Sequence, residues 1–451
     1  MILPHFNHQL DSLSFMRTRK RVFDASDPGT GKTRVAIESY AERRMRGGRC
    51  ALILAPRSLL RSAWDVDIKK FSPNLVTSIA NADKREAAFK RTADVYITNH
   101  DAVNWLVKQP DSFFAKFDTL IIDEVGAFKH STSLRSKTLN KIKKHFEYRL
   151  VMNGTVTPNS ITDIWNQMFI LDDGKRLGPS FFAFRSAVCT PKQVGPSARM
   201  LQWEDREGAS DAVAKLMEDV TIRHVFEQCV DIPANHEYSV PYVLGPAQHK
   251  AYEEMKADAV ARLKTGDVET PICAINAAVV ATKLLQITSG AVYEDTETYH
   301  VIDKARYELV IDLAESRKHS VIFFLWKHQK DLLIAEAEKR GITYCVIDGT
   351  VGDTERNRAV DYFQKGLYRL LFAHPQSAAH GLTLTRGTAT IWASPTYNLE
   401  HHQQGLKRIY RAGQTEKTET IVVIAENTIE EKVWTALHTK RVRMDDLMRQ
   451  L

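Results

Sequence analysis

The stretch RVFDASDPGTGKTRVAIESY, Arg21 to Tyr40, restricts the fold more than any other part of the chain. A short apolar run meets a turn of Asp27, Pro28, Gly29, Thr30 and Gly31; Lys32, Thr33 and a helical pattern follow. Glycines in such a turn permit dihedrals and close approaches that other residues resist. Strand, turn and helix N-terminus in that order aim backbone amides at one point, which is an anion site. Gly-x-Gly-Lys-Thr in this setting reads as a nucleotide phosphate loop, with Asp27 through Thr33 around the phosphates. Lys32 is placed for the β- and γ-phosphates and the Thr33 hydroxyl for magnesium. The strict pattern has Gly where Ser26 stands.

The apolar runs ALILA, VYIT and TLII alternate with helical patterns, and the same rhythm returns in VIFFLW, YCVI, LLFA, ATIW and TIVVIA. Near-continuous apolar strands between helices indicate parallel sheets covered on both faces. Residues from about 171 to 300 break this rhythm and read as mostly helical, with EYSVPYVL extended. The expected class is therefore α/β, with two parallel-sheet units separated by a helical stretch. A length of 451 residues fits about two or three domains at roughly 100–200 residues each.

The apolar runs are too short to span a bilayer, and the N-terminus lacks a charged segment followed by an apolar one. Five scattered cysteines form no close pair, so neither a zinc site nor a disulfide framework is expected. The cytoplasm is the expected location. A net charge of +7, with RTRKR and RRMRGGR among its basic stretches, suits a polyanionic partner.

A phosphate loop needs a partner carboxylate. DTLIIDEVG carries Asp123 and Glu124 to the C-terminal end of a strand, the edge where open α/β sheets bind ligands. Asp123 is expected to hold magnesium, and Glu124 to orient and deprotonate the attacking water.

These residues resemble, in order, the motifs of superfamily 2 helicase-like ATPases of the Snf2 type. LPHFNHQLDSLSFM resembles the Q motif, with Gln9 as the adenine reader. DPGTGKT is similar to motif I, LILAPRSLLRSAWDVDIKKF to Ia, VYITNHDAV to Ib, IIDEVGAFKH to II and VMNGTVTPNSITDIW to III. VIFFLWKHQKDLL resembles motif IV, AHPQSAAHGLTLTRG motif V and QGLKRIYRAGQ motif VI. Gly126 replaces the usual motif II His, which commonly links hydrolysis to movement between lobes. Asn153 and Val156 replace the first Thr and the Pro of motif III. The compact chain is similar to phage and prophage members, and if it is phage-encoded the expected cytoplasm is that of a bacterial host.

The resemblance implies two RecA-like lobes in tandem, with small helical protrusions between them. Lobe 1 spans 1–230, with a protrusion over about 171–230; lobe 2 spans 231–451, with a helical insertion over about 246–300. ATP and Mg2+ would lie between the lobes, with Arg408 and Arg411, three apart and so on one helix face, reaching the γ-phosphate from lobe 2. Duplex or branched DNA would be tracked through its phosphates by Arg57, Thr98, Asn99, His380 and Thr383. A monomer suffices for this cycle. Trp165, Trp326 and Trp392 read as core rather than as base-stacking platforms. The implied activity is a DNA-dependent ATPase that translocates on duplex and remodels DNA or protein–DNA structures. The alternatives are a strand-separating DNA or RNA helicase, for which a short hairpin within 175–210 would serve as wedge, and an ATP-switched clamp without productive turnover.

Overall fold

The computed structural model describes residues 4–157, 160–193, 201–265, 271–294, 298–378 and 382–450. The chain divides into two compact units. One comprises Met1–Thr190, Glu204–Asp231 and Lys440–Leu451; the other comprises Pro191–Trp203 and Ile232–Thr439.

The first unit is built on a seven-stranded sheet. Its members are β1 (Arg21–Asp24), β2 (Cys50–Ala55), β3 (Thr77–Ile79), β4 (Val95–Asn99), β5 (Phe117–Ile122) and β6 (Tyr148–Met152). After β7 (Cys189–Gln193) and β8 (Leu201–Asp205), which form a separate two-stranded sheet, β9 (Thr221–Ile222) completes it. The order is β3-β4-β2-β5-β6-β1-β9, and every pairing is parallel. Leu52, Ile53 and Leu54 are all buried, as are Leu120, Ile121 and Ile122, because helices cover both faces. Val35, Ile37 and Tyr40 of helix Lys32–Met45 pack with Val22, Ile53 and Ile121 in one core cluster.

The second unit repeats the plan. β10 (Asn235–Tyr242) is followed by the antiparallel ribbon β11 (Ala291–Tyr293) and β12 (Tyr299–Val301), then by β13 (Ser320–Phe323), β14 (Tyr344–Ile347), β15 (Leu370–Ala373), β16 (Ala389–Trp392) and β17 (Thr418–Ala425). The six-stranded sheet runs β10-β17-β16-β13-β15-β14, all parallel. Arg306, on helix Ala305–Glu315, and Glu430, on helix Ile429–Gln450, meet at 2.9 Å, both almost wholly buried. The Thr288 hydroxyl and the Ala425 amide also donate to Glu430, which satisfies a carboxylate that would be costly to bury alone.

The α/β class with two parallel sheets agrees with the strand–helix rhythm. The 171–300 stretch differs in one respect. Besides helices such as Phe181–Val188, Ala209–Met217, Pro246–Thr265 and Pro271–Thr288, and β10, which overlaps the expected extended EYSVPYVL, it holds two two-stranded ribbons and contributes β9 to the first sheet. Strands of two or three residues, or ones as exposed as β7, are too short or too polar to announce themselves by alternation. No helix among the described residues is long and apolar enough to cross a membrane.

Candidate active site

The phosphate loop leaves the carboxyl end of β1. Gly29 and Gly31 both have positive φ, 95° and 87°, and Gly31 caps the helix that begins at Lys32. A Cβ at Gly31 would displace the side-chain amide of Gln9, and the positive φ by itself favours glycine there. Ser26 has no positive φ, and this is why the loop tolerates a side chain where the strict pattern has glycine. Its carbonyl accepts from Lys32 Nζ at 2.5 Å, and its Oγ accepts from the His224 amide at 3.1 Å. Asp27 is tied to the same distant segment: its Oδ2 accepts from the Phe226 amide at 3.0 Å.

Gln9 is buried against the loop. Its Nε2 donates to the Thr30 carbonyl at 3.3 Å, and its Oε1 accepts from the Phe6 amide at 3.2 Å. His8 donates to the same Thr30 carbonyl at 2.8 Å. His224 lies beside it, ring centroids 5.4 Å apart. Burial and, secondarily, His8 hold the His224 imidazole below its ordinary pKa.

Asp123 and Glu124 follow β5 at the same carboxyl edge of the sheet. Glu124 is left-handed, φ 52° and ψ 56°, a conformation costly for a residue with a side chain and concentrated at functional sites. Asp123 is 8% exposed. Its Oδ2 accepts from Trp64 Nε1 at 2.9 Å, and its carbonyl accepts from His100 Nε2 at 2.8 Å. Among the described residues no trio of His, Cys, Asp and Glu makes a closed metal cage. Thr33 and Asp123 instead offer the sparse oxygen set that magnesium takes when phosphates and water supply its other ligands.

The two departures at Gly126 and Asn153 meet each other. A Cβ at Gly126 would lie 3.0 Å from Asn153 Nδ2. Asn153 is 1% exposed, and that nitrogen donates to Gln167 Oε1 at 2.8 Å. Its amide donates to the Asp24 carbonyl, while the adjacent Gly154 lies close under Pro28 of the phosphate loop. Asn153 thus fills space at Gly126 that a side chain would need. Gly126→His is expected to lower stability by about 1–3 kcal/mol through overpacking, and adding Asn153→Thr should recover part of it. Urea melts of the single and double variants check this; a Gly126→His protein as stable as the parent would contradict it.

In the second unit Arg408 lies on helix Leu399–Ile409, but Arg411 lies beyond its end. The expected shared helix face is therefore corrected: the helix stops at Ile409, and a turn through Gly413, φ 96°, follows. The two guanidinium groups still converge, both donating to the Leu382 carbonyl, at 3.4 Å from Arg408 and 3.0 Å from Arg411.

The candidate nucleic-acid residues fare unequally. Arg57 and Thr383 are exposed. Asn99 Oδ1 accepts from Arg85 at 3.0 Å. Thr98 is corrected: it is 0% exposed and its hydroxyl donates to the Ala80 carbonyl at 2.5 Å, because it sits inside β4 and not in the loop after it. His380 lies outside the described residues. Trp165 and Trp392 are buried. Residue types and spacing did not single out Trp64, His8, His100 or His224, whose partners are distant in sequence.

A phosphate loop and an acid pair at one carboxyl edge of a parallel sheet, with a second parallel-sheet unit carrying paired arginines, define the class of helicase-like ATPases. The SNF2-related domain family matches residues 8–288 and the helicase conserved C-terminal domain family matches residues 303–413. The chain belongs to the SNF2-related family and is an ATP hydrolase of that helicase-like type. It is similar to protein p41 of Acyrthosiphon pisum secondary endosymbiont phage 1, 28% identical over 444 residues, 93% of this chain and 92% of that protein. It is also similar to an uncharacterized ATP-dependent helicase of Mycoplasma genitalium, 23% identical, covering 91% of this chain and 38% of the relative. The DNA annealing helicase and endonuclease ZRANB3 of Bos taurus is 25% identical over 96% of this chain and 39% of its own length. The chain thus spans nearly all of the phage relative and less than half of the other two. Among solved structures, the Sulfolobus solfataricus SWI2/SNF2 ATPase core in complex with dsDNA aligns with a TM-score of 0.46 at 20% identity, over 99% of this chain and 93% of that one.

Proposed function

We propose that the protein couples ATP hydrolysis to translocation along duplex DNA and to remodelling of DNA or protein–DNA structures. The observation that carries this reading is the meeting of the phosphate loop with Asp123 and Glu124 at one sheet edge, in a chain of the SNF2-related family. Lys32 would leave the Ser26 carbonyl for the β- and γ-phosphates. Gln9 would read adenine while holding the Thr30 carbonyl, so that base and loop are linked. Glu124 would take the proton of the attacking water. Thr33 and Asp123 would hold magnesium, which neutralises phosphate charge when bound. Arg408 and Arg411 would release the Leu382 carbonyl and meet the γ-phosphate from the second unit. Loss of that phosphate would remove a ligand shared by two bodies, and only a ligand with such differential contact can shift their equilibrium. Arg57, Asn99 and Thr383 would follow the DNA phosphates, with affinity falling as salt rises.

Phosphate release measured with no polymer, duplex DNA, single-stranded DNA and RNA at matched salt tests this reading. Duplex is expected to stimulate most, and RNA stimulating most would overturn the substrate class. The ribbon of β7 and β8 favours a second reading, strand separation. Triplex displacement without unwinding of a forked duplex would support translocation; unwinding without triplex displacement would support the ribbon as a wedge.

A further inference from the structure

We propose that Trp64 is a positioning residue that sets the carboxylate of Asp123 for magnesium, an inference that rests on the reading of Asp123 as the metal's carboxylate. Trp64 is 0% exposed and donates its indole N–H to Asp123 Oδ2 at 2.9 Å. The indole nitrogen is a donor only, so it holds that oxygen as an acceptor, in a charge-assisted bond stronger than a neutral one. Trp64 is carried on a single π-helical turn, Leu60–Asp65, a widened turn that is rare and frequent at functional sites. The next residue, Asp65, is anchored by Lys69 at 2.7 Å and by the Thr77 hydroxyl at 2.6 Å. The ring is therefore locked from its own turn, while His100 holds the Asp123 backbone from the other side. The same turn begins three residues after exposed Arg57, a candidate DNA-phosphate contact.

Partners of metal-ligating groups typically contribute about 10–100-fold in metal affinity. The molecule supplies a matched control: Trp392 is equally buried, and its Nε1 has no hydrogen-bond partner among the described residues. Magnesium is titrated into the full chain with N-methylanthraniloyl-ADP, reading probe fluorescence rather than turnover. Trp64→Phe is expected to raise half-saturating magnesium about tenfold, with probe affinity in EDTA unchanged. Trp392→Phe should leave the titration where it was, Trp64→His should recover part of the loss through its ring N–H, and Asp123→Asn should shift it at least as far as Trp64→Phe. If Asp123→Asn shifts the titration while Trp64→Phe behaves like Trp392→Phe, the positioning role is wrong and the metal reading stands. If Asp123→Asn itself shifts nothing, the metal reading fails and takes this inference with it.

Discussion

Glu124→Gln is expected to lower ATP turnover by about 10²–10⁴, the usual contribution of a positioned general base, while leaving nucleotide affinity close to that of the parent. The amide keeps the size of the side chain and its place after β5 but cannot take a proton from water. The left-handed backbone at Glu124, φ 52°, lies in the turn from strand into Val125–Phe128. Steady-state phosphate release on saturating duplex, with fluorescent-nucleotide titration beside it, checks the split. A Gln variant turning over at near the parent rate would remove Glu124 from the chemistry. A thermal melt separates that result from misfolding.

Arg411→Ala is expected to cost about 10² or more in turnover, toward the lower end of what arginine cations contribute to phosphoryl transfer. ATP and duplex binding should survive, because the phosphate loop and the exposed Arg57 belong to the first unit. A thermal melt accompanies the assay, because the guanidinium also donates to the Leu382 carbonyl at 3.0 Å, a bond of about 1 kcal/mol. Lys32→Ala, by contrast, should weaken nucleotide capture itself. If Arg411→Ala hydrolyses ATP at near the parent rate on saturating duplex, the assignment of this arginine to the γ-phosphate is wrong.

Much of the site was legible because its signals are local. The glycines at 29 and 31 are demanded by the loop's own dihedrals, and the strand before Asp123 announces itself by an unbroken apolar run. The misreadings also have local causes. Thr98 is the fourth of five residues in β4, and polar residues at a strand's end look the same in sequence whether they face a ligand or the next strand; here the Ala80 carbonyl takes the hydroxyl. The spacing of Arg408 and Arg411 promised a common helix face, but the helix ended between them.

By itself the sequence determined the two parallel sheets, the phosphate loop and the acid pair, since each follows from short-range patterning and from backbone limits at a few residues. Tertiary structure alone decided what braces them. Ser26, in the loop, is tied to a segment 198 positions away, whose His224 amide donates to its hydroxyl. Asp123 is held by an indole 59 positions earlier, and Asn153 occupies the space that Gly126 leaves open. Such contacts arise from sheet order, β1 beside both β6 and β9 and β2 beside β5, and no periodicity along the chain records which distant loops a parallel sheet brings to one edge.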